Sequence, residues 1–151
     1  MSPAQAKTPS GVSHDFVDHT SEVTVRARAP TFGELLEEMA RAFVELVPEH
    51  LRGHPSEQWR ELRFEGSDRA GVLVRWLNEL VYLADADLWI PDDLQVTVER
   101  APPDSDSLSV HVRARGRELA EPFVLVKAAT LHGASVRDEN GGCSGEVTLD
   151  I

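Results

Sequence analysis

Between Thr31 and Pro48 an apolar side chain returns every third or fourth residue: Phe32, Leu35, Leu36, Met39, Ala40, Phe43, Leu46 and Val47. That spacing follows the turn of an α-helix and gathers the apolar groups into one stripe. Thr31, with Glu34 three residues on, predicts a capping box at the start. Pro48, which cannot continue a helix, predicts the end. A second segment repeats the design. Val72, Leu73, Trp76, Leu77, Leu80, Val81 and Ala84 form its buried side, Ser67 or Asp68 caps it, and the acidic run 85–87 closes it. Two such stripes cannot stay in water, so the remaining chain must supply a surface that covers them.

That surface is written as strands. From His14 to Ala29 the pattern is strand-like, with a turn around residues 18–21. Beyond the turn Val23, Val25, Ala27 and Ala29 alternate with Thr24, Arg26 and Arg28, a half-buried strand with one wet face. Leu62 and Phe64 predict a short strand before Gly66. Leu94, Val96 and Val98 alternate, as do Leu108, Val110, Val112 and Ala114, and the segment 101–107 between them holds two prolines and two aspartates, as a loop would. Residues 50–56, polar and carrying Gly53 and Pro55, predict a linker. Asn140-Gly141-Gly142 is hairpin chemistry, followed by Val147, Leu149 and Ile151 at alternate positions. Strands joined mostly by short links, with two amphipathic helices, predict an α+β fold. Its antiparallel β-sheet, in one or two layers, would bury both helices on one side.

The 151 residues fit one domain over 13–151, preceded by a loose tail at 1–12. Fifteen Lys+Arg against 26 Asp+Glu leave a net charge of −11. A chain so acidic lacks the basic face that captures a phosphate backbone, so direct nucleic-acid binding is not expected. The single cysteine, Cys143, excludes an intrachain disulfide and any Cys₄ or Cys₂His₂ zinc site; in its Gly-rich surroundings it is expected as a spacer, not a nucleophile. The first dozen residues contain no apolar signal region and no run spans a bilayer, so a cytoplasmic protein without a membrane partner is expected. The phosphate-loop, dinucleotide, zincin, nucleophile-elbow and zinc-deaminase signatures are all missing. Trp59, Trp76 and Trp89 are expected to fill core, and a histidine near a strand, as His14 and His19 are, is expected to be a hydrogen-bonded structural residue.

What remains is oxygen chemistry. Asp18-His19-Thr20-Ser21-Glu22 sets two carboxylates and two hydroxyls within five residues, and the chain ends Leu149-Asp150-Ile151. Such groups suit either a solvated turn and terminus or a hard cation, which binds clustered oxygens. In one extended strand Asp18 and Glu22 would stand roughly 13 Å apart at about 3.3 Å per residue. Two oxygens on one Ca²⁺ lie within about 5 Å of each other, given bonds of about 2.3–2.6 Å. A shared ion therefore requires a turn or bulge at residues 19–21, which Thr20 and Ser21 can support through local hydrogen bonds.

Asp18-His19-Thr20-Ser21-Glu22 resembles the Asp-His-Thr-Ala-Asp signature of the archease family. Trp76-Leu77-Asn78-Glu79-Leu80 matches that family's helix, Lys127-Ala128-Ala129-Thr130-Leu131-His132 is similar to its Lys-Ala-Val-Thr-Tyr-His segment, and Leu149-Asp150-Ile151 to its terminal Phe-Asp-Ile. The four motifs stand in the family's order over nearly the whole chain. The resemblance implies a small α+β accessory protein, not an enzyme. It would activate an RNA-splicing ligase (RtcB-type) that joins 3′-phosphate or 2′,3′-cyclic phosphate ends to 5′-hydroxyl ends, promoting the ligase's guanylylation and its multiple turnover. It also implies a divalent cation, Ca²⁺ first and Mg²⁺ or Mn²⁺ as alternatives, held by Asp18, Glu22, Asp150 and an oxygen of Ile151. His19, Thr20, Lys127 and His132 would face the partner. The chain departs from the pattern at Glu22 (aspartate in the family), Ser21 (alanine) and Leu131 (tyrosine). Two other roles fit the same residues: a small metal-dependent phosphoesterase with His19 as base, and a metal-free chaperone or adaptor.

Overall fold

The computed structural model describes residues 11–18 and 21–151, Asp18 by its backbone alone. The chain runs β1 (Ser13–Asp18), β2 (Glu22–Ala29), α1 (Phe32–Leu46), a one-turn 3₁₀ helix (Glu49–Leu51), β3 (Arg52–Pro55) and β4 (Arg60–Gly66). It continues through α2 (Arg69–Asp85), β5 (Trp89–Arg100), β6 (Leu108–Leu119), β7 (Ala128–Glu139) and β8 (Gly142–Asp150). The tail expected at 1–12 is described only at Gly11 and Val12, and Val12 is buried in the core.

The expected α+β antiparallel architecture is present, and its sheet is in fact two. The first has the order β1-β2-β8-β7. The second is built on β6, which pairs with β5 on one side and with β4 and then β3 on the other. Both helices touch both sheets, in keeping with the two-layered form of the expectation. Leu35, Leu36, Met39, Ala40 and Phe43 of α1 are fully buried. Gly145 in β8 is where the two helices rest on the first sheet: a Cβ there would meet Leu35 and Leu73 at 3.0 and 3.2 Å. On the other side Trp76 of α2 stacks on Phe64 of β4, ring centroids 5.8 Å apart, and its indole N–H donates to the Leu36 carbonyl at 2.8 Å. The indole thereby ties the helices to each other and to the second sheet.

Both helix starts follow from their caps. Thr31 Oγ1 accepts from the Glu34 amide at 3.2 Å, and Asp68 accepts from the Gly71 amide at 2.7 Å. Glu34 does not complete a full capping box; its carboxylate accepts from the Thr31 hydroxyl. The expected linker at 50–56 is a 3₁₀ turn and strand β3. α1 carries no basic residue in its last turn. Arg52 of β3 supplies the charge, its guanidinium donating to the Val44 and Val47 carbonyls at 2.9 Å. A four-residue strand ordered by such a contact has no periodicity to reveal it. Trp76 and Trp89 are core as expected, but Trp59 is half-buried and carries the guanidiniums of Arg113 and Arg115 on its ring, 4.1 and 4.8 Å from the centroid. No helix among the described residues is long and apolar enough to cross a membrane.

β1 is clamped to α1 by charge. His14 Nδ1 lies 2.6 Å from Glu38 Oε2, His14 Nε2 meets the Glu45 carboxylate, and Arg41 donates to the other Glu38 oxygen at 2.9 Å. Burial opposes charge on both His14 and Glu38. The two carboxylates nonetheless hold the His14 pKa above its usual value, and His14 and Arg41 hold Glu38 below its own. A raised histidine pKa contributes stability below about pH 6.5 that is lost as pH climbs through the folded-state pKa. A lowered carboxylate pKa contributes stability that is lost as pH falls through it. His14→Ala should therefore cost about 1–3 kcal/mol near neutrality, with the deficit narrowing toward both acid and alkaline pH in thermal unfolding. A deficit independent of pH would show that the clamp is not ionic.

Candidate functional site

Strands β2 and β8 pair along their lengths, and the register ends with Glu22 opposite Asp150. Past that pair, the Ile151 amide donates to the Ser21 carbonyl at 3.1 Å, and on the other side of β8 the Lys127 amide donates to the Asp150 carbonyl at 2.8 Å. Ser21 and Ile151 thus lie together, with Lys127 beside them. The burial alternation fixes direction. Val23, Val25, Ala27 and Ala29 on β2 and Cys143, Gly145, Val147 and Leu149 on β8 are buried, which leaves Glu22 and Asp150 on the outward face. One row further in, Thr24 and Thr148 share a hydrogen bond at 3.1 Å.

Residues opposite each other on antiparallel strands hold their Cβ atoms about 4.5–5.5 Å apart, and like charges in that position repel. Glu22 and Asp150 are two hard oxygen donors held side by side at an exposed sheet end. That donor set fits Ca²⁺ or Mg²⁺ chemistry, which needs further oxygens to complete a shell. Asp18 ends β1 opposite Val23, on the strand beside Glu22; it is described by this register alone. The three acidic positions fall on three successive strands, β1, β2 and β8, at one end of the sheet, with Asp18 paired to the inward Val23 and so one register place off the outward row of Glu22 and Asp150. Among the described residues, no three His, Cys, Asp or Glu side chains group closely enough to hold a metal.

The other expected positions divide. His19 and Thr20 lie outside the described residues. Lys127 is exposed and bonded through its backbone to Asp150. Ala128, next to it, stands opposite Asp150. His132 is exposed in the stretch of β7 between Thr130 and Ser135 that leaves the β8 register, its amide donating to Thr130 Oγ1 at 3.2 Å. It is four residues up the strand from Ala128, about 13 Å along it, and is not brought beside the acidic end. Cys143 points into the core, where burial raises its pKa and keeps the thiol protonated. This is a structural position, as expected.

Asn78 has a role that periodicity did not reveal. β7 is an edge of the first sheet, with unpaired backbone groups on its free side. Asn78 Nδ2 donates to the Ala129 carbonyl at 3.1 Å while its Oδ1 accepts from the Ala129 amide at 2.8 Å. One side-chain amide thus stands in for a neighbouring strand and seals α2 to β7 two residues from Lys127. The available signal was an asparagine inside a helix, where its side chain competes with the backbone and is disfavoured.

Two antiparallel sheets enclosing a helix pair, with acidic residues from both chain ends at one exposed corner, define a small α+β domain whose distinctive chemistry lies on its surface. The chain belongs to the Archease protein family (MTH1598/TM1083), whose model matches residues 14–151. It is 31% identical over 142 residues to "Protein archease" of Archaeoglobus fulgidus, covering 93% of this chain and all of that protein. The solution structure of Methanobacterium thermoautotrophicum protein 1598 superposes with a TM-score of 0.73 at 25% identity, covering 91% of this chain and 98% of that one. A Thermotoga maritima protein described as "an archease, possible chaperone" shares the fold, with a TM-score of 0.58 at 17% identity and coverage of 89% and 94%.

Two outcomes follow from the geometry. Asp150→Asn removes one of two facing like charges, so in chelator it should raise stability by about 0.2–1 kcal/mol; an unchanged or lower unfolding temperature would mean that the carboxylates do not oppose one another. Asn78→Ala orphans both backbone groups of Ala129 and should cost about 1–3 kcal/mol, with faster amide exchange at Ala129 locating the loss.

Proposed function

We propose that this archease is a non-catalytic, cytoplasmic accessory factor of an RNA ligase that joins 3′-phosphate or 2′,3′-cyclic phosphate ends to 5′-hydroxyl ends, promoting the ligase's guanylylation and its repeated turnover. The observation that carries this is the register that sets Glu22 opposite Asp150, with Asp18 on the adjoining strand. Family membership supports it: Glu22, Lys127 and Asp150, each from a family motif, lie at this corner, and Asn78 of the helix motif braces it. Asp18, Glu22, Asp150 and an oxygen of Ile151 would hold a divalent cation, calcium first and magnesium or manganese as alternatives. When bound, that ion would neutralise phosphate charge where nucleotide transfer occurs.

The chain's own residues supply recognition. A ligase that handles RNA ends and a nucleoside triphosphate carries a basic, metal-bearing cleft. The acidic corner complements it, which speeds and orients encounter. The net charge of −11 suits that protein partner and disfavours RNA itself. His19, Thr20 and Lys127 would line the contact, with His132 at its margin.

The test is the Asp18→Ala/Asp150→Ala double variant in a ligase assay with 3′-phosphate RNA. Asp150 is exposed at a strand end and its core neighbours are untouched, so the fold should persist while stimulation of guanylylation and turnover disappears. Full stimulation by the double variant would refute the proposal. Phosphoester turnover by the protein alone with Mg²⁺ or Mn²⁺ would favour a phosphoesterase, and stimulation without any heat of Ca²⁺ binding would favour a metal-free adaptor.

A further inference from the structure

Among the described residues the large exposed apolar side chains are Tyr82, Val124, Leu125 and Leu131, at 59%, 63%, 53% and 63% exposure. Three of them border one strip. The segment leading into β7 is pinned at both ends. Phe123 is buried edge-on against Phe43 and its amide donates to the Ala84 carbonyl at 3.2 Å, while Val126 is buried and the Lys127 amide holds Asp150. Between these anchors Val124 and Leu125 are turned outward. Tyr82 lies two residues before Ala84 and one helical turn beyond Asn78, on the flank of α2 that Asn78 presents to β7. Leu131 stands apart, past the Asn78 clamp. Leu125 is two residues from Lys127, at most about 7 Å along the chain, and Lys127 is bonded to Asp150. The apolar strip therefore runs directly into the acidic corner.

Folding does not account for this exposure. The segment is ordered and anchored, and adjacent valine and leucine in water on an ordered segment mark a contact surface. We propose that Tyr82, Val124 and Leu125 form an apolar docking strip that seats on the RNA ligase beside its basic cleft. This rests on the function proposed above and extends it. The strip supplies affinity through desolvated apolar contact, with tyrosine as the anchor, and the acidic corner supplies orientation. Charge selects this occupant over a second copy of the chain. Glu79, Asp85 and Glu121 lie next to the strip in sequence, Glu22 and Asp150 end it, and two copies of a −11 chain would bring like charges together there. A partner with an apolar ridge flanked by basic groups meets no such opposition.

The test titrates the full-length protein and its variants into the RNA ligase at low and high salt. Val124→Ser/Leu125→Ser, and separately Tyr82→Ala, should weaken binding about tenfold or more, with the salt dependence kept and the unfolding temperature unchanged. Asp150→Asn should instead flatten the salt dependence. Wild-type affinity in both strip variants, with Asp150→Asn still impaired, would overturn the strip and leave the ligase reading standing. Failure of the wild-type protein to bind the ligase would overturn both. Self-association of the wild type that the serine variant abolishes would overturn the assigned occupant.

Discussion

The pairing of β2 with β8 is the interaction on which the rest depends. It joins residues 22–29 to 143–150, so the first sheet closes only when both ends of the chain are in place. The same register does two jobs because strand side chains alternate. Its inward positions, from Val23 to Ala29 and from Cys143 to Leu149, give the helices their floor. Its outward positions carry a polar row that ends in Glu22 and Asp150. A slip of one residue would bury those carboxylates and expose the floor. The hydrophobic core therefore fixes the acidic corner.

Placing two carboxylates opposite each other works against stability, and the fold keeps the penalty small by siting them at an exposed strand end, where water screens them. Buried deeper in the sheet the same pair would not survive. The fold instead spends its ionic interactions where they hold elements together: His14 and Arg41 on Glu38 between β1 and α1, and Arg52 on the last carbonyls of α1. The corner is braced from behind by Asn78 on Ala129 and bordered by Tyr82, Val124 and Leu125. It is thus a rigid, acidic and partly apolar surface, suited to pressing against another protein.

The local features were legible in the sequence. The helices follow from the stripes that begin at Phe32 and Val72, with caps at Thr31 and Asp68. The β7–β8 hairpin follows from Asn140-Gly141, which adopt the positive φ angles of 48° and 79° that a two-residue turn requires. What depends on distant partners was not legible. β3 has no pattern of its own and is ordered by Arg52 and by β6. One layer or two was left open in the sequence, and contacts of each helix with both sheets go with two. Trp59 looks like core in composition and is instead a platform for arginines. The acidic corner was read through family motifs, since nothing local shows that Glu22 will meet Asp150. Val124 and Leu125 sit in an apolar run, Phe123 to Val126, of which only the ends are buried.

Whether the two chain ends act as one binding unit can be measured by the calcium affinity of the wild-type protein, Glu22→Gln, Asp150→Asn and the double variant, titrated by calorimetry as a double-mutant cycle. If both carboxylates hold the same ion, the losses are strongly non-additive, with a coupling of about 1 kcal/mol or more. Additive losses, or no calcium binding by the wild type, would contradict the account.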